Sequence, residues 1–381
     1  MSAAVPPRPR QRRPTMQDIA DRVGVSRQLV SIVLRDADGA SDSTRRRVLD
    51  AARELGYHPD ESARLLRRSR SGQLGVLFTM RQPFEVDLVD ALYEQAGRLG
   101  YRLVLSTMGR TRSQEVALGE LMRQRIEGLI VLAAEAGAGT IAGLPAGIPT
   151  VLLGGLEASP ARGEPYDRIR VDNAAGIAQA VGHLVGLGHR RIAYIGPDEG
   201  PNAAERLAGY QDAMDRHGRT GDAEVVPSPL TEEGGYAAAQ RLLARTDRPT
   251  AVVCVNDRCA FGVLETFVRG GLRVPEDVSV IGFDDSTVAR LPFVDLTSVH
   301  PDPERMAALA VEAVHRRIEA AEDAAAGPSG GAAEGPMPDE SRDGGSVRAV
   351  AGHAPGPPGH LVPAHLVVRG STGPPRRGPE Q

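Results

Sequence analysis

The 381-residue chain contains no tryptophan and no lysine, and aromatic residues make up only 3% of it. Its cores must therefore be built mainly from valine, leucine, isoleucine and alanine, and its basic surfaces from arginine. Cys254 and Cys259 are the only cysteines. They exclude a disulfide framework, and their spacing without a neighbouring histidine is a poor metal signature. Both thiols lie in sequence typical of a buried core, which indicates that the protein resides in a reducing compartment.

Several kinds of segment and motif are also missing. No window approaches the ~18–20 apolar residues of a membrane span. Residues 1–13 are rich in proline and arginine, lack the apolar region of a secretory signal and are predicted to form a disordered basic arm. The sequence has no P-loop and no H-E-x-x-H histidine pair. We therefore expect a soluble cytoplasmic protein that is not an enzyme and that uses no cofactor, metal or membrane.

The net charge of −4 conceals an uneven distribution along the chain. Residues 1–70 carry 15 arginines against 9 acidic residues, a net charge of +6, whereas the remainder carries −10. A basic first part joined to an acidic body is typical of a polyanion-binding module attached to a domain that binds something else.

Residues 14–58 show three helical patterns separated by turn residues. Ile19, Ala20 and Val23 form the apolar stripe of the first pattern, which Gly24 ends. Ser26 opens the second, in which Leu29, Val30, Val33 and Leu34 form the stripe, and the third ends at Gly56 with Pro59 beyond it. A helix, a tight glycine turn and a second helix with exposed Arg27 and Gln28 at its start predict a helix-turn-helix.

After Gly72 the pattern changes to apolar strands that alternate with amphipathic helices. This alternation predicts parallel sheets covered by helices on both faces. More than ten such elements over ~230 residues exceed one small sheet, so two similar lobes are expected. Residues 324–359 have no periodicity and are predicted to be a disordered insertion, because a strand resumes at His360.

The ordered motifs along the chain resemble the LacI-type family of bacterial transcription regulators. They include DIADRVGVSRQLVSIVL at 18–34, RELGYHP at 53–59, VDNAAG at 171–176, HLVGLGHRRIAYIG at 183–196 and GLRVPEDVSVIGFDD at 271–285. Further matches are RLAGY at 206–210, RPTAVVCVND at 248–257 and LVVRGSTGPP at 366–375. The resemblance extends from about Thr15 to Pro375, apart from the insertion.

The resemblance implies an all-α headpiece, a hinge helix and an α/β core of the type I periplasmic-binding-protein kind, whose two lobes close on a small ligand. It places the headpiece at 14–58, the hinge at 59–71 and the core at 72–381. Lobe one is expected at 74–172 and 302–323, and lobe two at 173–298 and 360–371. Members of the family are homodimers that bind pseudo-palindromic operators in double-stranded DNA.

Base contacts are expected from Arg27 and Gln28, because arginine pairs with guanine and glutamine with adenine through two hydrogen bonds each. The alternative is that both are solvated helix residues. Ile32 departs from the family pattern, because many relatives carry a polar or basic base-contacting residue at this position. It either packs on a thymine methyl group or is buried in the headpiece. Phosphate contacts are expected from Thr15, Ser26 and Ser31, with helix capping as the structural alternative.

The hinge residues Ala63, Arg64 and Leu66 are expected in the minor groove. By resemblance, Leu66 wedges between two base pairs, which suits an apolar side chain on a short basic helix. The alternative is that Leu65 or Leu66 packs on the core.

The resemblance assigns effector binding to Arg206 and Asp284, and then to Asp172, Asn256 and Asp257. Asn256–Asp257 and Asp284–Asp285 directly follow apolar strands, where α/β crevices bind ligands. Helix capping is the alternative for Asp257 and Asp285. Phe84 either forms a pocket wall or is ordinary packing. Leu230 stands where relatives often place an aromatic residue that stacks on the ligand. A carbohydrate remains the default effector, but one with a less flat face or in a pocket less committed to sugars.

The sequence thus predicts a sequence-specific repressor whose operator affinity is controlled by a small ligand. A non-sugar effector and co-repressor or activator logic are the alternatives on the same architecture. A solute-binding protein would share the core, but the helix-turn-helix argues against it.

Overall fold

The computed structural model describes residues 14–34, 37–57, 70–109, 111–132, 143–154, 166–326 and 359–376. The chain divides into two compact units, Met1–Ser71 and Gly72–Gln381. Three predicted segments lie outside the described residues in whole or in part. They are the basic arm, residues 59–69 of the hinge with Ala63, Arg64 and Leu66, and residues 327–358 of the insertion.

The first unit contains a three-helix headpiece. Its helices are α1 (Met16–Val23), α2 (Arg27–Leu34) and α3 (Asp42–Leu55). Their apolar stripes meet in one core, whose buried members are Ile19, Ala20, Val23, Val30, Val33, Val48, Ala51 and Ala52. Leu29 and Leu34, expected in the buried stripe, are half-buried at its margin.

The helix ends of the headpiece follow from local chemistry. Thr15 and Asp18 form a capping box, in which each side chain accepts a hydrogen bond from the other residue's backbone N–H, at 3.4 and 2.6 Å. Gly24 and Gly56 end α1 and α3 in the left-handed conformation, with φ of 71° and 64°. Glycine adopts this conformation without a Cβ penalty, so both glycines fix where the chain turns.

The second unit contains two six-stranded sheets. From edge to edge, sheet one comprises β2 (Arg102–Thr107), β1 (Gln73–Phe78), β3 (Gly128–Leu132), β4 (Thr150–Leu153), β5 (Tyr166–Val171) and β11 (His360–Val362). Sheet two comprises β7 (Ala223–Pro227), β6 (Ile192–Gly196), β8 (Ala251–Cys254), β9 (Ser279–Phe283), β10 (Thr297–His300) and β12 (His365–Val367). The inner strands are almost wholly buried, as expected for sheets covered on both faces.

Helices cover each sheet and complete two lobes. Lobe one has α4 (Pro83–Arg98), α5 (Gln114–Arg123) and α10 (Pro303–Ala326). Lobe two has α6 (Asn173–Gly186), α7 (Pro201–Arg216), α8 (Glu232–Leu243) and α9 (Asp257–Arg269), with one 3₁₀ turn at Thr220–Asp222.

Within the described residues, the chain passes between the lobes three times, after β5, after β10 and after β11. The third passage corrects the expected lobe boundary, because residues 360–362 pair with β5 of lobe one and only residues 365–367 pair within lobe two. Helix α10 also continues to Ala326, so 324–326 belong to this helix and not to the predicted insertion.

Strand β12 makes sheet two a mixed sheet, where a parallel one was expected. It pairs with β10 in the antiparallel sense, with His365 opposite His300. The reason is the passage itself: β10 ends where the chain leaves lobe two, and β12 begins where the chain returns, so the two strands run in opposite directions. All other strand pairs in the two sheets are parallel.

Candidate functional site

The headpiece presents the start of α2 to solvent. Arg27 and Gln28 are both exposed in its first turn, and the Ser26 hydroxyl caps the helix by accepting a hydrogen bond from the Leu29 N–H at 3.1 Å. Both side chains therefore have the exposure that reaching base edges requires. Ile32 is half-buried, 3.8 Å from where a Cβ at Gly39 would lie, so part of its surface packs against the loop after α2.

The predicted phosphate-contact residues differ in exposure. Thr15 and Ser26 are exposed and cap helices, so both roles assigned to them from sequence are compatible with the structure. Ser31 is half-buried on α2.

A cavity of about 300 Å³ lies between the two lobes of the core. Both lobes line it with the ends of their parallel strands and with the loops that follow, the usual place for a ligand in an α/β protein. Four of the six predicted effector residues line this cavity: Phe84, Arg206, Asn256 and Asp284.

Arg206 is held in the cavity by contacts with several groups. Its Nε donates to Asn173 Oδ1 at 2.9 Å, its Nη1 to the Val255 carbonyl at 2.6 Å, and its Nη2 lies 3.5 Å from Asp284 Oδ1. The guanidinium also lies 3.5 Å from the centre of the buried Phe283 ring. These contacts hold the planar group in one orientation, as a recognition residue requires.

Asn173 connects the Arg206 group to lobe one. Its Nδ2 donates to Asn202 Oδ1 at 3.2 Å and to Glu205 Oε2 at 2.8 Å. Glu205 in turn forms an ion pair at 2.7 Å with Arg170 of β5. A continuous polar network therefore runs from the last strand before the first passage to the cavity.

Asp284 occupies a strained turn directly after β9. Asp284 and Asp285 both have positive φ values, 106° and 45°, which are uncommon for residues other than glycine and concentrate at functional sites. Burial raises the pKa of Asp284 to about 6, although the positive charge of Arg206 acts in the opposite direction. The carboxyl group is thus held in a dry environment beside its only close cation in the described cavity lining.

Two predicted effector residues do not line the cavity. Asp172 caps α6, since its carboxylate accepts a hydrogen bond from the Ala175 N–H at 2.9 Å. Asp257 is buried behind the cavity wall, where it accepts from the Ser298 hydroxyl at 2.5 Å and from the Ser286 N–H at 2.6 Å. Both carboxylates are engaged within the fold, and the structure does not bring them to the described cavity lining.

Sequence reasoning missed polar residues that do line the cavity, above all Gln82, Asn173, Glu199 and Asn202. Asn202 lies four residues before Arg206 on α7, so helical spacing places both on one face. Asn173 directly follows Asp172. Because the structure shows that Asp172 caps α6, it is Asn173 that faces the cavity, and the sequence alone does not distinguish the two. Gln82 had no signal in the sequence, because it belongs to the loop after β1.

One group among the described residues brings three metal-binding atoms within 4.8 Å of one another, namely His300, Asp302 and Glu304. Asp302 already accepts a hydrogen bond from the Arg305 N–H at 2.9 Å, and Glu304 is exposed, so helix capping accounts for this arrangement. Across the described part of the chain, no helix has both the length and the apolar character needed to cross a bilayer.

A helix-turn-helix headpiece joined to a two-lobed core with a central cavity defines a DNA-binding regulator of transcription. Residues 15–60 match the family described as bacterial regulatory proteins, lacI family, and residues 181–329 match the periplasmic binding protein-like domain. The chain is similar to the ribose operon repressor of Escherichia coli K12, with 33% identity over 80% of this chain and 93% of the relative. It is also similar to the transcriptional repressor PurR of Photobacterium profundum, with 30% identity over 80% of this chain and 92% of the relative.

A solved structure extends this similarity to the fold. The lac repressor dimer bound to operator and the anti-inducer ONPF is 25% identical, with a TM-score of 0.69, over 95% of this chain and all of that one. The chain therefore belongs to the lacI family of bacterial regulatory proteins. It is a transcriptional regulator and not an enzyme.

Proposed function

We propose that the protein is a cytoplasmic repressor that binds a pseudo-palindromic operator as a homodimer and is controlled by a small ligand in the cavity between its lobes. The observation that carries the proposal is the cavity itself, in which Arg206 and Asp284 form one polar group within a chain that also carries an exposed recognition helix. The operator-bound dimer of the lac repressor supports the assembly. Ala63, Arg64 and Leu66 remain the predicted minor-groove contacts of the hinge.

The ligand controls DNA binding if it favours one arrangement of the lobes over another. The polar network from Arg170 through Glu205 and Asn173 to Arg206 links the cavity to the first passage between the lobes. A ligand that engages Arg206 therefore acts on a group that also joins the lobes. Release by an inducer is the primary proposal, and DNA binding that requires the ligand as a co-repressor is the alternative.

The name of one relative points to a sugar. The name of the ribose operon repressor connects that protein to a sugar, whereas PurR is identified only as a transcriptional repressor. We propose a carbohydrate or carbohydrate derivative as the default effector. A thermal-shift screen of sugars, nucleosides and nucleobases tests this choice, since a ligand that binds the folded protein raises its melting temperature.

Replacing Arg27 with alanine is expected to weaken binding to the specific operator by about 5- to 150-fold, which corresponds to ~1–3 kcal/mol for one lost bidentate base contact. The operator is first identified by selection from random DNA, and affinities are then measured by fluorescence anisotropy at one fixed salt concentration. Arg53→Ala is the control, because it removes an equally charged, exposed side chain from α3. An equal loss on operator and random DNA would instead assign Arg27 to a phosphate.

Replacing Arg206 with methionine is expected to abolish the ligand response while the headpiece still binds operator. Methionine retains packing over Phe283 but provides no N–H donor. The matched control is Arg216→Met, which changes an exposed arginine on the same helix. Operator affinity is measured with and without the ligand found in the screen. A normal response of the Arg206 variant would show that the ligand binds elsewhere.

A further inference from the structure

The two lobes contribute chemically different walls to the cavity. The side chains from lobe one are largely hydrocarbon, and most of them are buried: Phe84, Leu88, Leu132, Leu153, Val171 and Met306. Lobe two contributes most of the polar groups: Asn173, Glu199, Asn202, Arg206, Asn256 and Asp284. A ligand bound here meets an apolar surface on one side and hydrogen-bonding groups on the other.

The polar side chains of lobe one are already engaged within the protein. Glu85 accepts hydrogen bonds from the Thr79 hydroxyl at 2.6 Å and from the Arg81 and Gln82 N–H groups at 2.7 and 3.1 Å. Gln82 accepts one from Asn256 at 3.2 Å. Lobe one therefore presents little besides hydrocarbon to the ligand.

On lobe two, Arg206 and Asp284 both retain hydrogen-bonding capacity for a ligand. Asn256 is engaged at both ends, since its Oδ1 accepts from the Cys259 N–H at 2.9 Å and its Nδ2 donates to Gln82 and to the Leu230 carbonyl. Arg206 uses three of the five N–H bonds of a guanidinium in the contacts described above, which leaves two for a ligand. The polar edge of the ligand is thus expected to face Arg206 and Asp284.

The charge of the cavity disfavours anions. Its described lining has one cation, Arg206, against the three carboxylates of Glu85, Glu199 and Asp284. Helix α7 begins at the cavity, and helix N-termini attract anions, but Pro201 in its first turn has no N–H and Glu199 lies just before it. A phosphate would therefore meet more negative than positive charge, whereas phosphate sites normally provide unpaired arginine or lysine.

We infer that the effector is a small, uncharged molecule with one hydrogen-bonding edge and one broad apolar face, and that phosphorylated ligands are excluded. This inference rests on the proposed function, because it specifies the ligand of the same cavity. The cavity volume of about 300 Å³ is at the lower end of small-molecule sites, which suits a small ligand such as a sugar that carries one aromatic group. An aryl or deoxy glycoside and a nucleoside both have this chemistry, but a sugar phosphate does not.

Matched compounds test the inference on the full chain by isothermal titration calorimetry and saturation-transfer NMR at millimolar concentration. One set is phenyl β-glucoside, glucose and glucose 6-phosphate, and the other is adenosine, ribose and adenosine monophosphate. In at least one set, the neutral compound with the aromatic group should bind at least tenfold more tightly than its parent sugar, and the phosphorylated compound should not bind. Tighter binding of a phosphate or of a parent sugar, or no binding of either aromatic compound, would overturn the inference.

A charge-reversal variant isolates the electrostatic part of the inference. Glu199→Lys is expected to give measurable binding of the phosphorylated compound and to change the affinity of the neutral compound by less than threefold. Asp212→Lys makes the same change at an exposed position of α7 outside the cavity lining and should have neither effect. If both variants behave alike, the local charge of the cavity does not exclude the anion.

Operator binding without ligand, measured in parallel, separates this inference from the proposed function. If neutral compounds fail to release the operator and a phosphorylated compound does release it, the repressor assignment remains intact. Only the inferred chemistry of the ligand is then refuted. Absence of specific DNA binding would refute the repressor assignment itself, whichever compound the cavity binds.

Discussion

Replacing Gly262 with alanine is expected to destabilise the core by about 3 kcal/mol or more, although alanine is the better helix former. Gly262 lies in α9 where this helix crosses α8. A Cβ at this position would overlap the Glu232 carbonyl oxygen, and it would lie only 2.8 Å from the Glu232 carbonyl carbon and 3.0 Å from the Tyr236 nitrogen. These are backbone atoms, so no change of rotamer relieves the overlap, and the helices must separate.

Gly235 of α8 has the reciprocal role. A Cβ there would overlap the Cys259 carbonyl oxygen and approach the Val263 nitrogen of α9 to 3.1 Å. The two glycines therefore allow the two helix backbones to touch. Because either substitution separates the same helix pair, Gly235→Ala and Gly262→Ala together should cost less than the sum of the two single changes.

Urea denaturation followed by circular dichroism measures these effects on the full chain. Gly97→Ala is the matched control, because Gly97 is exposed near the end of α4 and no atom lies within 4 Å of a Cβ built there. We expect the control to gain up to ~1 kcal/mol from helix propensity alone. Equal changes in the free energy of unfolding of Gly262→Ala and Gly97→Ala would mean that α8 and α9 do not pack through their backbones.

The headpiece follows closely from its sequence because its determinants are local. Capping residues and left-handed glycines act on the next few residues, so Thr15, Gly24 and Gly56 define helix ends without reference to distant contacts. The burial of Leu29 was overestimated for the opposite reason. Whether one side of a stripe is covered depends on how α2 packs against the other two helices.

The core illustrates where local patterns stop being sufficient. Alternating strands and helices predicted two sheets with parallel strands, and the observed sheets agree apart from β12. Neither the pairing of residues 360–362 with β5 nor the reversal at β12 has a local signal, because three-residue strands carry almost no periodicity. Their placement is decided by where the chain re-enters each lobe.

The cavity was predicted from the chemistry of strand ends, and that argument has a limit. It correctly placed Asn256 and Asp284 at the cavity, since both follow strands whose ends line it. It also selected Asp257, but the residue after Asn256 points behind the wall toward Ser298. Neighbouring residues at a strand end face different directions, and backbone geometry alone distinguishes them.

Replacing the buried Asp257 with asparagine is expected to change how the stability of the core depends on pH. Burial, and next the negative charge of Asp284, raise the pKa of Asp257 from 3.8 to about 7. Between these two values the folded protein retains a proton that the unfolded chain has released. The contribution of this carboxyl to the free energy of unfolding is therefore full below the unfolded value and is lost as pH rises toward about 7.

The expected size follows from the same linkage. Each pH unit in this window removes about 1.4 kcal/mol, so the parent loses up to ~4 kcal/mol from this group between pH 4 and 7. Asparagine resembles the protonated carboxyl and does not titrate. The variant should therefore be within about 1 kcal/mol of the parent near pH 4, where one altered hydrogen bond to Ser298 or Ser286 is the main cost. It should become progressively more stable than the parent as pH rises, and the difference should level off above about pH 7.

Urea denaturation of the parent and the variant at half-unit pH intervals measures this difference, in which titrations common to both proteins cancel. Asp212→Asn, which removes an exposed carboxylate from α7 of the same lobe, shows what the loss of one surface charge does. Parallel profiles for the parent and Asp257→Asn between pH 4 and 7 would mean that the buried carboxylate stays ionised throughout this range. The hydrogen bonds from Ser298 and Ser286 would then fully offset its burial, and the Asp284 charge would have to be balanced by Arg206 alone.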